Sequence, residues 1–397
     1  ITSSYVSFLY DRLNYVNYGN TMKKKILVLG CTGSIGSSTL DIVRRFPDLF
    51  SVCGLTAHTC KTELEKLCKE FSCTNAAVAG NSPNEIRCVI EKSNADIAVN
   101  GIAGSAGLMP SVWCLQNNIN LALANKETVV MAGPLIKELA SVKGRSVIPV
   151  DSEHSALFFL IERFGKERVS SLILTASGGP FRTLSADKLA SVTLEDALKH
   201  PTWNMGKKIS IDSATLANKG LEVIEACRLF DMPPEKVKVA VHPQSLVHSL
   251  IQTVDGDLYA QISEPDMKRP ILSALTWPEV IENDLKKLDL TSAIGGDDGI
   301  CMSFFPPRFK DFPLLDCAYE AQKKGGSYTI AYNAANEVAV EFFLQRKIGF
   351  TAIQNTVAAV LDKDWSQEPE NFEAVFILDT KAREAALAFV TDFSARV

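Results

Sequence analysis

The sequence predicts an α/β protein with a Rossmann-like, doubly wound N-terminal domain, an α+β central domain and a C-terminal helical domain. Three observations predict this. A short apolar strand at 25–29 runs into a glycine turn and a helix, and strands then alternate with helix-length segments as far as residue 150. An antiparallel hairpin pattern follows in the next part of the chain. Ala-rich amphipathic segments occupy the last part.

The first domain is predicted to span 22–150 and to contain a mostly parallel sheet. A periodic helix at 39–46 follows the glycine turn, and helix-length segments separate the later strands, as in βα units. The predicted strands are 25–29, 50–55, 75–79, 96–100, 120–124 and 146–150.

The central domain is predicted to span 151–284, because strands and helices are mixed from Asp151 onward. It includes a hairpin whose strands, 249–254 and 258–262, flank Asp-Gly-Asp. A connecting segment rich in Gly, Asp and Pro follows at 285–312. The C-terminal helical domain covers 313–397. Its predicted helices are 328–345, 351–361 and 379–391.

Composition excludes several classes of function. The chain has 397 residues, 46% hydrophobic and 22% charged, with a formal net charge of −5. Because there is no overall basic field, nucleic acid and an anionic membrane are not expected as partners. No run reaches the roughly 18 to 20 apolar residues of a membrane helix. The composition is typical of a soluble enzyme. Since the chain has no overall basic field, any anion is expected to bind in a local pocket.

The ten cysteines form no CxxC pair, and several lie within apolar runs. We therefore expect buried thiols in a reducing compartment, the cytoplasm of a bacterium. Met22-Lys-Lys-Lys directly precedes the first strand, so Met22 is the expected start and residues 1–21 an extension. The alternative is the remnant of a transit peptide for a plastid-type organelle.

The first functional pattern is Gly-Cys-Thr-Gly-Ser-Ile-Gly at 30–36, between a strand and a helix. Glycines there let the backbone approach a pyrophosphate, and the helix N-terminus supplies N–H groups. The alternative is a tight turn that needs glycine only for its dihedral angles. The second strand ends without an acidic residue that would bind a ribose 2′-hydroxyl, which favours NADP over NAD. His58 or Lys61 could meet a 2′-phosphate.

Ligands gather at the carboxyl ends of parallel strands, so the residues that follow each strand are candidate site residues. A second glycine-rich segment follows strand four at 101–107. Asn125-Lys126-Glu127 follow strand five, and Asp151-Ser152-Glu153 follow strand six. A structural protein would seldom place a lysine and three carboxylates on one sheet edge.

Acidic residues predict a metal site. Asp151 and Glu153 are two apart, so in an extended backbone both carboxylates would point to one side. The segment 212–222 is expected to form one helix opened by Asp212 or Ser213, with Asn218, Lys219 and Glu222 on one face. Carboxylates without neighbouring His or Cys suit Mg²⁺ or Mn²⁺. The alternative is a set of solvated surface charges.

Two further segments complete the candidate site. Ser177-Gly178-Gly179 follows an apolar strand and offers a hydroxyl and backbone donors, as a phosphate site would; the alternative is a plain turn. The segment 178–207 ends in His200, Trp203, Met205 and Gly206 and is interpreted as a mobile lid. The alternative for the Trp and Met is a place in the core.

In content and order, eight motifs resemble the 1-deoxy-D-xylulose-5-phosphate reductoisomerase family. The resemblance runs from Lys25 nearly to the end of the chain, and eight motifs in one order are far more specific than a single glycine turn. The motifs lie at 30–36, 124–127, 149–154, 177–181, 200–206, 212–222, 242–245 and 333–337.

The resemblance implies a homodimer that converts a phosphorylated deoxy-sugar to 2-C-methyl-D-erythritol 4-phosphate with NADPH and a divalent cation. The implied metal ligands are Asp151, Glu153 and Glu222. The implied catalytic residues are Lys126, Ser152 and His200. The implied substrate contacts are Ser152, Ser177, His200, Trp203, Ser213, Asn218 and Lys219. The implied cofactor contacts are Thr32, Gly33, Ser34, Ile35, Asn125, Glu127, Gly206 and Met267.

Two other classes remain open on the residues alone. A metal-free NADP-dependent dehydrogenase of another small aldehyde would keep the glycine turn but would not need Asp151, Glu153 and Glu222. A nucleotide-sensing protein without activity would keep the fold and lose these acids and Lys219.

Overall fold

The computed structural model describes residues 22–80, 82–200, 202–203, 205–290 and 300–394. The predicted extension before Met22 lies outside these ranges, as does part of the predicted connection at 285–312. Within the described ranges, no helix is long and apolar enough to cross a bilayer.

The first sheet is parallel and has six strands, which confirms the predicted fold class. Its strands lie within two residues of the predicted ends at every position. They are β1 (Lys24–Leu29), β2 (Phe50–Ala57), β3 (Ala76–Val78), β4 (Ile97–Asn100), β5 (Asn120–Leu123) and β6 (Val147–Pro149). The order across the sheet is β3-β2-β1-β4-β5-β6, so the strand order reverses beside β1, as in a doubly wound nucleotide-binding sheet.

Helices cover both faces of this sheet. Along β1, Ile26 and Val28 point to one buried core, and Leu27 and Leu29 point to the other, which is the period of two that a strand buried on both sides requires. The helix after the glycine turn begins directly after Gly33, earlier than predicted. The helices of this region are α1 (Ser34–Arg45), α2 (Lys61–Glu70), α3 (Pro83–Ser93), α4 (Leu108–Gln116), α5 (Lys126–Lys143) and α6 (Ser152–Phe164).

The second sheet is mixed and has the order β10-β9-β7-β8. It contains the predicted hairpin, whose two strands pair antiparallel. Its strands are β7 (Val169–Ala176), β8 (Val237–Val241), β9 (Val247–Thr253) and β10 (Leu258–Ile262). The helices of this region are α7 (Leu194–Ala197), α8 (Lys207–Ala214), α9 (Ala217–Phe230) and α10 (Lys268–Thr276).

The expectation of one helix over 212–222 is wrong. Asp212 and Ser213 lie in the last turn of α8, and α9 begins at Ala217. Leu216 between them has a φ of 60°, a left-handed conformation that ends one helix and redirects the chain into the next. The predicted one-face arrangement of Asn218, Lys219 and Glu222 survives, because all three lie within α9.

The C-terminal helices pack on α9 and the second sheet. Tyr332 and Val340 are buried in one hydrophobic core with Leu221 and Leu174, so these helices do not have a separate core. They are α11 (Leu314–Lys324), α12 (Tyr328–Leu344), α13 (Phe350–Leu361) and α14 (Phe372–Ser394).

All ten cysteines are free, but the expectation that they are buried is correct only for Cys31, Cys73, Cys114 and Cys227. Three others are half-buried. Cys60, Cys88 and Cys301 are exposed.

Candidate active site

The glycine turn after β1 is shaped for close backbone approach. Gly30 has a φ of +81°, and its N–H group donates to the carbonyl and hydroxyl oxygens of Thr56 at the end of β2, both at 3.1 Å. A Cβ atom on Gly36 would lie 2.3 Å from the carbonyl oxygen of Gly30. A side chain at this position would therefore push α1 away from the turn.

The N-terminus of α1 faces the cavity described below. Its N-cap is Gly33, and no described side chain caps its first turn. Ser34 and Ile35 line the cavity, whereas Thr32 lies in the turn and does not line it. Uncapped N–H groups at a helix N-terminus are suited to an anion such as a pyrophosphate.

Asn125 and Glu127 are buried and are bonded to other protein groups. The Asn125 amide nitrogen donates to the carbonyl oxygens of Ile102 and Gly104, both at 2.8 Å, and so holds the glycine-rich loop after β4. Glu127 accepts hydrogen bonds from Asn125 at 2.9 Å and from Lys208 at 2.7 Å. Neither side chain lines the cavity.

The three carboxylates predicted to bind a metal lie close together. Asp151, Glu153 and Glu222 each offer an oxygen, and these oxygens lie within 4.8 Å of one another. The reason given from the sequence is wrong for Asp151 and Glu153, because the backbone there is not extended. Asp151 is the N-cap of α6 and Glu153 lies in its first turn.

Two buried ammonium groups lie among these carboxylates. Lys126 Nζ donates to Asp151 Oδ2 at 2.7 Å, Asn218 Oδ1 at 2.8 Å and Glu222 Oε1 at 3.2 Å. Lys219 Nζ donates to Glu153 Oε1 at 2.6 Å and also to Glu222. The site thus holds one more carboxylate than ammonium groups.

The pKa shifts reflect this crowding. Burial would raise the pKa of Asp151, but the charges of Lys126 and His154 hold it well below its usual range. Burial and the charge of Glu222 raise the pKa of Glu153 to about 7, although Lys219 opposes this shift. Additional positive charge in the site would therefore stabilise the ionised form of Glu153.

A second acidic layer lies behind the first and was not recognised in the sequence. His154 Nδ1 lies 3.3 Å from Asp151 Oδ1 and 3.5 Å from Glu225 Oε2, and its Nε2 donates to the Glu222 carbonyl at 2.9 Å. Burial would lower the pKa of His154, but Glu225 and Asp151 raise it to about 9. The three-residue spacings from Asp151 to His154 and from Glu222 to Glu225 were the available signal.

These residues fit a divalent cation. The donors are carboxylate oxygens, which Mg²⁺ and Mn²⁺ prefer, and they are concentrated in a buried pocket with excess negative charge.

The Ser-Gly-Gly turn after β7 brings two hydroxyl groups towards the same cavity. Gly179 has a φ of +68°, and a Cβ atom on it would lie 2.7 Å from the carbonyl oxygen of Ser213. Glycine therefore lets the turn approach the end of α8. Ser177 and Ser213 both line the cavity, as an anion site would require.

His200 connects this turn to the segment before α8. Its Nδ1 accepts hydrogen bonds from the backbone N–H groups of Thr202 at 3.2 Å and Trp203 at 2.9 Å. Its Nε2 lies 3.0 Å from Ser177 Oγ and, as the protonated nitrogen of a neutral ring, donates to it. Burial, with the charge of Arg182, lowers the pKa of His200, which favours this neutral form.

The predicted lid is anchored over most of its length. Phe181, Leu189 and Ala197 are buried in the main core. Trp203 is half-buried and lines the cavity. Pro201 and Asn204 lie outside the described residues.

The start of α1, the three carboxylates and the Ser-Gly-Gly turn open into one cavity of about 210 Å³. Most of the predicted site residues line it. They are Ser34, Ile35, Lys126, Asp151, Ser152, Glu153, Ser177, His200, Trp203, Gly206, Ser213, Asn218, Lys219, Glu222 and Met267. Gly33, like Thr32, lies in the turn beside the cavity.

Several lining residues were not selected from the sequence. Ile209, Val247 and His248 line the cavity, and His248 Nε2 lies 2.9 Å from Ser263 Oγ. Ser245 also lines it and has a φ of 54°. Ser245 ends the motif at 242–245, which was the available signal.

The fold and the site define a class: dinucleotide-dependent enzymes in which a carboxylate site for a divalent cation and an anion site share one cavity. Family models for 1-deoxy-D-xylulose 5-phosphate reductoisomerase match residues 26–87 and 80–133, and models for its C-terminal domains match 147–230 and 262–385. A reductoisomerase of this name from Treponema denticola is 49% identical over 379 residues, covering 93% of this chain and 98% of the relative. The chain belongs to the 1-deoxy-D-xylulose 5-phosphate reductoisomerase family.

Solved structures agree with this assignment. The reductoisomerase from Zymomonas mobilis in complex with NADPH superimposes with a TM-score of 0.84 at 38% identity, covering 93% of this chain and 99% of that one. A DOX-P reductoisomerase in complex with NADPH, fosmidomycin and magnesium also has a TM-score of 0.84, at 35% identity, covering 93% and 98%.

We expect Trp203→Ala to lower kcat and raise KM for the sugar phosphate while changing the melting temperature little, because its half-buried side chain lines the cavity. Truncation of a core tryptophan costs about 3–5 kcal/mol. Trp365→Ala, at a residue that is 1% exposed, is the control that should lose such stability. Thermal unfolding and steady-state kinetics check this. A large stability loss with unchanged kinetics per folded Trp203→Ala molecule would place Trp203 in the core.

Proposed function

We propose that this protein converts 1-deoxy-D-xylulose 5-phosphate to 2-C-methyl-D-erythritol 4-phosphate with NADPH, in the non-mevalonate isoprenoid pathway. The observation that carries the proposal is a convergence within one cavity. Ser34 and Ile35, at the start of α1, line the same cavity as Asp151 and Glu153. A reductoisomerase requires this arrangement, because rearrangement and reduction act on the same carbon skeleton.

The nucleotide is proposed to lie along the turn after β1 with its pyrophosphate at the N-terminus of α1. Met267, at the N-cap of α10, lines the cavity where the nicotinamide ring would enter. Asn125 and Glu127 act by holding the loop after β4 and Lys208. The proposed cofactor residues are Thr32, Gly33, Ser34, Ile35, Asn125, Glu127, Gly206 and Met267.

Asp151, Glu153 and Glu222 are the proposed ligands of a Mg²⁺ or Mn²⁺ ion. NADPH supplies the hydride for the reduction, and the cation supplies positive charge that stabilises oxygen anions as the skeleton rearranges. Ser152 and Lys126 hold the reacting oxygens of the substrate: Ser152 lies between two of the acidic residues, and Lys126 presents an ammonium group.

The phosphate group is proposed to bind between the Ser-Gly-Gly turn and the start of α9. Ser177, Ser213 and Asn218 offer hydrogen bonds there and Lys219 offers charge, while His200 holds Ser177 and the backbone of Trp203. An anchor remote from the reacting carbons keeps the fragments in place between the two steps. Trp203 covers the substrate and excludes water.

We further propose a homodimer in the bacterial cytoplasm, with a plastid-type organelle as the alternative location. β10 is the last strand of the second sheet, and its Leu258 and Ile262 are 55% and 42% exposed, which supports pairing with a second copy. The free cysteines support a reducing compartment.

The function is tested by NADPH oxidation with 1-deoxy-D-xylulose 5-phosphate, before and after EDTA. We expect oxidation that EDTA abolishes and Mg²⁺ restores, because the acidic site fits an oxygen-preferring cation. Product analysis by NMR identifies the methylerythritol skeleton. Activity that resists exhaustive chelation would instead favour a metal-free dehydrogenase of another aldehyde.

We expect Asp151→Asn, Glu153→Gln and Glu222→Gln each to lower kcat by several orders of magnitude while leaving the Kd for NADPH nearly unchanged. Each change replaces a negatively charged ligand of the cluster with a neutral amide, and none of the three residues belongs to the glycine turn. Glu162→Gln, at an exposed position of α6, is the matched control and should behave as wild type. Normal turnover of any of the three variants at saturating Mg²⁺ would show that its residue is not a ligand.

We also expect higher catalytic efficiency with NADPH than with NADH. The segment after β2 presents exposed His58 and Lys61 and no carboxylate before α2, so nothing there favours a free 2′-hydroxyl. Steady-state kinetics with both cofactors check this. Equal kcat/KM values would refute it and would indicate that neither His58 nor Lys61 contacts the 2′-phosphate.

A further inference from the structure

The loop that follows β4 is held by two charged side chains from the C-terminal helices. Glu337 Oε1 accepts a hydrogen bond from the backbone N–H group of Ser105 at 3.0 Å, and Arg383 Nη2 donates to Ser105 Oγ at 3.0 Å. Glu337 lies on α12 and Arg383 on α14, 232 and 278 residues along the chain from Ser105. Glu337 ends the motif at 333–337, to which the proposed mechanism gives no role.

The two side chains form a network that fixes their own positions. Arg383 donates to Glu337 Oε2 and makes a bidentate pair with Asp379, at 2.7 and 3.2 Å. Asn333 donates to Glu337 Oε1 at 3.3 Å. The Glu337 and Asp379 side chains are 13% and 8% exposed. A bidentate, partly buried network of this kind is more rigid than an exposed ion pair. We call it the Glu337–Arg383 clamp.

The loop at 101–107 packs closely against the glycine turn and the start of α1. A Cβ atom on Gly30 would lie 3.3 Å from the carbonyl group of Gly101, and one on Gly101 would lie 3.1 Å from Ile35. The loop also fits the clamp closely, because Gly104 has a φ of +72° and a Cβ atom there would lie 3.0 Å from Glu337 Oε1. Movement of this loop would therefore change the space beside the glycine turn.

We propose that Glu337 and Arg383 are positioning residues for the nicotinamide nucleotide, acting through the loop at 101–107. Asn125 holds this loop through the carbonyl groups of Ile102 and Gly104, and the clamp holds it through Ser105. Without the clamp, the loop must be ordered when the nucleotide binds, and this cost reduces affinity. The inference rests on the proposed function, because it takes NADPH as the ligand of the glycine turn.

The test compares Glu337→Gln and Arg383→Met with two controls from the same helical region. Glu341→Gln changes an exposed acid on α12, and Arg346→Met removes an exposed arginine that pairs with Glu195. The measurements are the Kd for NADPH by fluorescence titration of the full chain, kcat and KM for both substrates, and the melting temperature. We expect the clamp variants to raise the Kd and KM for NADPH about tenfold. The controls, kcat at saturating NADPH and KM for the sugar phosphate should stay unchanged.

The outcomes separate this inference from the proposed function. Failure of the wild-type chain to bind NADPH would overturn the proposed function. Wild-type binding together with an unchanged Kd per folded clamp variant, even at a lowered melting temperature, would overturn the inference and make the clamp purely structural. If the clamp variants fail to fold, Ser105→Ala replaces them, since it deletes only the contact from Arg383. It should raise the Kd about threefold, and a Kd equal to wild type would also overturn the inference.

Discussion

The active site depends on one buried cation, the ammonium group of Lys126. Lys126 is the first residue of α5, which follows β5. Its ammonium group donates to Asp151, after the end of β6, and to Asn218 and Glu222 of α9. Burial would lower the pKa of Lys126, but Asp151 and Glu222 raise it well above its usual range, so the group stays charged. A single side chain thereby joins the edge of the nucleotide-binding sheet to the helix that carries the remaining ligands.

A second cation stabilises α5 itself. Pro134 lies inside this helix and has no N–H group, so the carbonyl of Val130 has no hydrogen-bond donor from within the helix. Arg228 from α9 donates to this carbonyl at 2.6 Å and to that of Val129 at 3.1 Å. Buried carbonyl groups need such partners. The kinked helix that presents Lys126 is thus held by the same helix, α9, that presents Glu222.

Sequence patterns predicted the parts of the fold that depend on local order. Strand periodicity placed the first sheet, and the four-residue spacing of Asn218 and Glu222 gave their shared face. The break at Leu216 was missed, because a left-handed leucine has no local signature and is held by tertiary packing. The contacts from Glu337 to Ser105 and from Arg228 to α5 were also beyond prediction, since their partners are 98 or more residues apart.

The arrangement of charge explains why these distant contacts are needed. Three carboxylates and two ammonium groups in a buried pocket stabilise a fold weakly, because the desolvation of each charge offsets most of its attraction to the others. Such a cluster keeps its geometry only if its supporting helices are fixed by other contacts, which Arg228 and the shared apolar core of α9 provide. The excess negative charge then remains available to a divalent cation, and binding of that cation adds to the stability of the folded chain. A site with excess negative charge therefore requires supporting helices that are held rigidly by contacts outside the site.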